Sequence, residues 1–133
     1  MESYFIDHGA RPAYTVNRTM PTPYDMRCPV ARTLDIIGER WTMLILRDLL
    51  LDGPRRFQDF ERSLAGISPN TLSARLKRLE EHGIIERRFY EQHPPRAEYV
   101  LTGKGRQLGP VLKTLLDWGR KHTAAPTAAG GDG

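Results

Sequence analysis

Apolar positions recur with helical spacing through the middle of this chain, and one helix is bounded by clear signals at both ends. Leu72, Leu76 and Leu79 fall four and three residues apart, so a helix through them carries all three on one side. Ser68 is a good cap and Pro69 fits the first helical position, where its missing N–H costs nothing. Gly83 supplies a left-handed stop. Upstream, Phe57, Phe60 and Leu64 form the stripe of a shorter helix, and Gly66 lies in the turn between the two. Further upstream, Val30, Leu34 and Ile37 share one face of a helix over residues 29–37, and Gly38 interrupts it. Residues 41–51 resume as a strongly apolar helix, with Trp41, Leu44, Ile45 and Leu49 inside, which Asp52-Gly53-Pro54 ends. After Gly83, extended runs over residues 84–90 and 97–101 flank Gln92-His93-Pro94-Pro95-Arg96. Two prolines cannot donate ladder hydrogen bonds, so that segment reads as a hairpin loop. Thr102 caps a last helix over residues 103–121.

This order gives a mainly α fold with a small β-hairpin wing, a winged helix-turn-helix. Residues 25–122 form the expected domain. Residues 1–24, with Pro12, Pro21 and Pro23, read as an irregular arm, and residues 123–133, rich in Ala, Thr and Gly, as a disordered tail.

Composition narrows the chemistry. With 133 residues and 39% hydrophobic content the core is modest, which favours a domain that gains buried area by dimerising. Twenty Lys and Arg against 16 Asp and Glu leave +4, too mild a bias to identify a partner, so charge placement carries the information. One cysteine excludes an intramolecular disulfide framework and a cysteine-rich zinc site. No apolar run approaches the roughly 20 residues that span a bilayer, and no signal-peptide core opens the chain, so the expectation is a soluble cytoplasmic protein without a membrane partner. His8, His82, His93 and His122 are scattered without ligand spacing, and no phosphate loop, nucleophile elbow or spaced carboxylate pair appears. Neither an enzyme nor a metal or other cofactor is expected.

The remaining chemistry lies on the helix opened by Ser68. With its leucines inward, Asn70, Ala74, Lys77 and Arg78 point outward, flanked by Thr71, Ser73 and Arg75. Small residues let a backbone approach base edges in a major groove, while Asn and Arg make paired hydrogen bonds there. The expected partner is therefore double-stranded DNA. Base reading falls to Asn70, Thr71, Ser73, Ala74 and Arg75, and backbone contacts to Ser68, Lys77, Arg78 and, from the hairpin tip, Arg96. A lone basic helix with a solvated face would show the same charges. The preceding helix, the turn and the hairpin favour DNA over a winged helix used only as a protein-interaction module. Leu108, Val111, Leu112, Leu115, Leu116 and Trp118 make the last helix too apolar for a lone surface helix, so they are the expected homodimer interface. Cys28, just before Pro29, caps the first helix, where the dipole and nearby Arg27 and Arg32 favour a thiolate, so it is a candidate redox or electrophile sensor.

Taken together, Cys28-Pro29-Val30, Ile37-Gly38-Glu39-Arg40-Trp41-Thr42, Ile45-Leu46-Arg47-Asp48-Leu49, Arg56-Phe57, Gly66-Ile67-Ser68, Leu72 through Glu80 and Glu98-Tyr99-Val100-Leu101-Thr102 resemble the HxlR-type bacterial winged helix-turn-helix regulators. The resemblance runs from Asp25 to Lys121. It implies a dimeric transcription factor of MarR-like architecture, with N- and C-terminal helices at the interface and recognition helices in successive major grooves. It also implies an effector: some members answer oxidants, quinones or aldehydes through a cysteine placed where Cys28 stands.

Overall fold

The computed structural model describes residues 25–126, so the expected arm, and the tail beyond Pro126, lie outside the described residues. The chain divides into two units, Met1–Glu39 and Arg40–Gly133.

In the first unit, α1 spans Pro29–Ile37, with Cys28 in extended conformation as its N-cap and Pro29 in its first turn. Ala31 and Ile37 are buried, whereas Val30 and Leu34 are each more than half exposed.

The second unit begins with α2 (Arg40–Asp52), followed by α3 (Phe57–Ser63) and α4 (Pro69–Glu81). Its core is built from one stripe of each: Ile45, Leu46 and Leu49 from α2, Phe60 from α3 with Leu64 just beyond it, and Leu72, Leu76 and Leu79 from α4. The three α4 leucines are almost wholly enclosed, which fixes how that helix is rotated about its axis. Gly66 turns the chain between α3 and α4 at φ +94°, where a side chain would be strained.

The start of α4 is as expected: the Thr71 N–H donates to Ser68 Oγ at 3.1 Å. At the other end, Gly83 at φ +72° donates to the Glu80 carbonyl while Ile84 donates to the Leu79 carbonyl. That double closure is a Schellman motif, and its apolar contact is supplied by buried Leu79 and Ile84.

The hairpin pairs β1 (Ile85–Gln92) with β2 (Pro95–Leu101) in antiparallel register. It reaches further than the two prolines suggested. Gln92 pairs with Pro95, so only His93 and Pro94 turn. Proline at the first residue of a strand removes no ladder bond that matters, which is why the expected five-residue loop is not needed. A register shift between Phe89 and Glu91 absorbs Tyr90 as an extra residue. Arg55 adds a third short edge by exchanging backbone hydrogen bonds with Tyr99.

The single last helix is a further correction. The segment is two helices, α5 (Gly103–Arg106) and α6 (Gly109–His122), broken at Gln107-Leu108. Pro110 has no N–H to give to the preceding turn and so begins a helix better than it continues one. Thr102 caps α5 as expected, its Oγ1 accepting from the Gly105 N–H. The same hydroxyl donates to the carbonyls just beyond α4, Gly83 and Ile84, and Lys104 donates to the His82 carbonyl at 2.7 Å. The wing base and the end of α4 are thereby joined. No described helix is long and apolar enough to cross a membrane.

Asp59 closes the first turn of α3. Its carboxylate accepts from the Arg56 backbone N–H at 2.9 Å and from the Arg56 and Arg62 guanidiniums. The Arg56 backbone bond first, then its side-chain bond, hold the Asp59 pKa below its ordinary value. The folded pKa is thus below that of the unfolded chain, about 3.9. The stability Asp59 supplies is complete above that unfolded value and is lost as pH falls through the folded one. Thermal unfolding followed from about pH 5 to pH 2 should fall less steeply in Asp59→Asn than in the parent; equal slopes would contradict this.

Candidate nucleic-acid interface

The leucine stripe decides which side of α4 faces water. Asn70, Ser73, Ala74, Lys77 and Arg78 are exposed, and Thr71 and Arg75 are half-buried on the flanks. Ser68, just before the helix, is exposed as well. The expected site residues on α4 thus lie together on one surface. Its first two turns carry short side chains, Asn70, Ser73 and Ala74, and the following turn adds Lys77 and Arg78. A face that is low and polar at its N-terminal end and cationic beyond it suits base edges followed by phosphates.

Two members of that set have structural duties. Ser68 Oγ accepts the Thr71 N–H and donates to Thr71 Oγ1 at 2.9 Å. The Ser68 proton is committed to the cap, and Thr71 keeps only its own hydroxyl proton for a base. Arg75 has its Nε shielded from solvent, so only the outer end of its guanidinium can reach outward.

The wing presents its charges in pairs. Arg88 and Glu98 face each other in register at 3.4 Å, and Arg96 and Glu91 at 2.9 Å. Arg96 is therefore a cross-strand partner of Glu91, both half exposed, and not an uncommitted cation at the tip. Arg87 lies on the other face, 5.5 Å from the Phe89 ring centroid and opposite Tyr99 in the register. Tyr99 in turn packs against Phe60 with ring centroids 6.2 Å apart, and burial pushes its hydroxyl pKa up. The hairpin's three arginines and three glutamates cancel over residues 85–101, so the wing brings shape and exposed aromatics, Phe89 and Tyr90, more than net charge.

One feature of the support was not read from the sequence. Asp48 is 3% exposed inside α2. It accepts from Arg47 at 2.9 Å and from Arg55 at 3.5 Å, and Arg55 also reaches Asp52. Because Arg55 is the residue bridged to Tyr99, this ion network ties α2 to the wing. A charged residue in the apolar run from Leu44 to Leu51 was the available signal.

The expected interface residues divide. Leu108 and Leu112 are half-buried, whereas Val111, Leu115, Leu116 and Trp118 are exposed. Leu112, Leu115 and Leu116 line an apolar groove with Met43, Leu44 and Leu50 of α2. Cys28 lies in the other unit, half-buried, in a shallow groove with Val30 and Leu34. Arg27 is bound to Asp25 at 2.6 Å, and Arg32 donates to the Met26 and Arg27 carbonyls, so both cations beside the cysteine are engaged locally. Among the described residues no group of His, Cys, Asp and Glu could hold a metal ion.

The chain matches the HxlR-like helix-turn-helix family over residues 36–126. It is 44% identical over 95 residues to the HTH-type transcriptional regulator YdeP of Bacillus subtilis (strain 168), covering 71% of this chain and 73% of that one. It is similar in structure to the redox regulator HypR in its oxidized form, with TM-score 0.68 and 38% identity, covering 74% of this chain and 100% of that chain. Diamide-treated YodB from B. subtilis superposes with TM-score 0.60 and 33% identity, covering 76% of this chain and 100% of that one.

Removing the wing's Glu91 should unmask Arg96. Glu91→Gln is expected to tighten binding about two- to fivefold on every duplex, with a steeper salt dependence, measured by fluorescence anisotropy. Unchanged or weaker binding would place the wing tip away from DNA.

Proposed function

Because the chain belongs to the HxlR-like helix-turn-helix family and is a DNA-binding transcriptional regulator, we propose that it acts as a homodimer on a pseudo-palindromic operator. The observation that carries this reading is the exposed polar ridge of α4 set opposite three enclosed leucines. One helix per protomer enters a major groove, and a two-fold dimer sets the half-site centres about 34–36 Å apart or at a multiple of that. Asn70, Ser73 and Ala74 meet base edges, with Thr71 and Arg75 reaching from the flanks. Ser68, Lys77 and Arg78 lie along the phosphates, and Arg96 joins them once its bond to Glu91 is exchanged for a phosphate.

The dimer reading rests on α6. No residue of this helix is buried, yet Val111, Leu115, Leu116 and Trp118 all lie on it. An apolar surface of this kind is stabilised when a second copy covers it.

The signal reading rests on Cys28 and on two structural relatives, the redox regulator HypR in its oxidized form and diamide-treated YodB. A two-electron oxidant takes two electrons and two protons from a pair of Cys28 thiols and leaves a disulfide. With one cysteine per chain, that bond joins two protomers; where a small thiol supplies the second sulfur, proton and electron, the same oxidation leaves a mixed disulfide on one protomer. A covalent link at the head of α1 would shift the spacing of the two recognition helices and so change affinity.

Two outcomes follow. Asn70→Ala should cost about 1–3 kcal/mol at an operator selected from random duplexes and relax base choice at one position per half-site; equal affinity would remove Asn70 from the reading set. Cys28→Ser should bind that operator normally yet stay bound under diamide, when the parent is released or tightened; identical responses in a mobility-shift assay would end the sensor reading.

A further inference from the structure

A second group of side chains stands where the first helix of the motif meets the wing. Arg56 precedes α3 and faces two groups. Its guanidinium donates to Asp59, which raises its pKa most, and lies beside the Tyr90 hydroxyl, which raises it further. Arg62 donates to the same Asp59 oxygen at 2.6 Å. Two cations therefore share one carboxylate, and the trio keeps a net charge of +1. The carboxylate is already occupied by both guanidiniums and the Arg56 backbone N–H, so it tethers the arginines without neutralising both. Arg56 and Arg62 expose 42% and 67% of their side chains, and Tyr90 is 48% exposed. Tyr90 is also the extra residue at the register shift in β1, and such bulges re-aim a side chain. A phenol O–H beside a guanidinium is a further donor that can turn outward.

We propose that Arg56 and Tyr90, supported by Arg62, clamp one phosphodiester of the duplex beside the groove that α4 enters. The inference rests on the DNA-binding reading above. When the second helix of such a motif lies in the major groove, the first crosses the backbone, and these are the cations at the head and tail of that first helix. The group also differs from the arginines of the wing. Arg88 and Arg96 each face one glutamate, whereas Arg56 and Arg62 share one acid between two cations. A guanidinium and a phenol side by side offer a phosphate two kinds of donor and read no sequence.

The test compares Arg56→Gln, Arg56→Lys and Tyr90→Phe with the parent on a selected operator and on random duplex across a salt series. Circular dichroism and thermal unfolding confirm the folds. Arg56→Gln should weaken both duplexes alike, by about tenfold at low salt, and reduce the slope of log affinity against log salt by about one. Arg56→Lys should restore the slope but only part of the affinity. Tyr90→Phe, which keeps the ring and carries little risk to folding, should weaken both duplexes about threefold with an unchanged slope. Parental slope and affinity in folded Arg56→Gln and Tyr90→Phe would overturn the clamp while leaving the role of α4 intact. A loss confined to the operator would overturn it in favour of base reading. Displacement of the duplex by inorganic phosphate beyond a chloride control of equal ionic strength would overturn it in favour of a free-anion site. A parent that binds no duplex at all would overturn both readings together.

Discussion

The enclosure of Leu72, Leu76 and Leu79 is the constraint on which the molecule depends. A helix surface residue can read DNA only if its angle about the helix axis is fixed, and that angle is set from behind. Three leucines at four- and three-residue spacing, held against stripes from α2 and α3, leave α4 one rotational setting. Slipping the helix by one residue would turn each side chain by about 100°, burying polar groups and exposing leucine. The energy that holds the core therefore also aims Asn70, Ala74 and Lys77 outward.

Fixing the ends matters as much as fixing the rotation. The Ser68 cap, the double closure at Gly83 and Ile84, and the Thr102 hydroxyl that reaches the carbonyls just beyond the helix pin both ends of α4 and join it to the wing. On the far side, the buried Asp48 holds Arg55, and Arg55 holds Tyr99 by its backbone. Breaking such a buried pair strands a charge, so the network resists partial rearrangement even where it adds little net stability. Helix and wing are presented as one rigid surface, which lowers the ordering cost of meeting a duplex.

Local signals made much of this legible. Ser68-Pro69 and Gly83 mark α4 because capping chemistry depends only on neighbouring residues, and Pro29–Ile37 is bounded for the same reason. What stayed hidden depends on register or on distant partners. The Arg96–Glu91 pair follows from strands that run to Gln92 and from Pro95, a length that two prolines concealed, and the Arg88–Glu98 pair follows from their register. The break before Gly109 turns on how Pro110 acts in a helix that hydrophobic spacing alone would have continued. The Asp48–Arg55 pair and the approach of Tyr90 to Arg56 join positions that only the fold brings together. The placement of the candidate residues was accordingly legible on α4, where one helix contains them, and less so on the wing, where two strands and a neighbouring helix must be combined.

The most direct measurement is backbone amide and leucine methyl chemical-shift mapping of the protein during titration with its selected operator duplex. The account predicts that the largest changes fall on Asn70, Thr71, Ser73, Ala74, Lys77 and Arg78, while Leu72, Leu76 and Leu79 keep their side-chain methyl environment. Changes centred on the α2–α6 groove, with the α4 ridge unmoved, would contradict it.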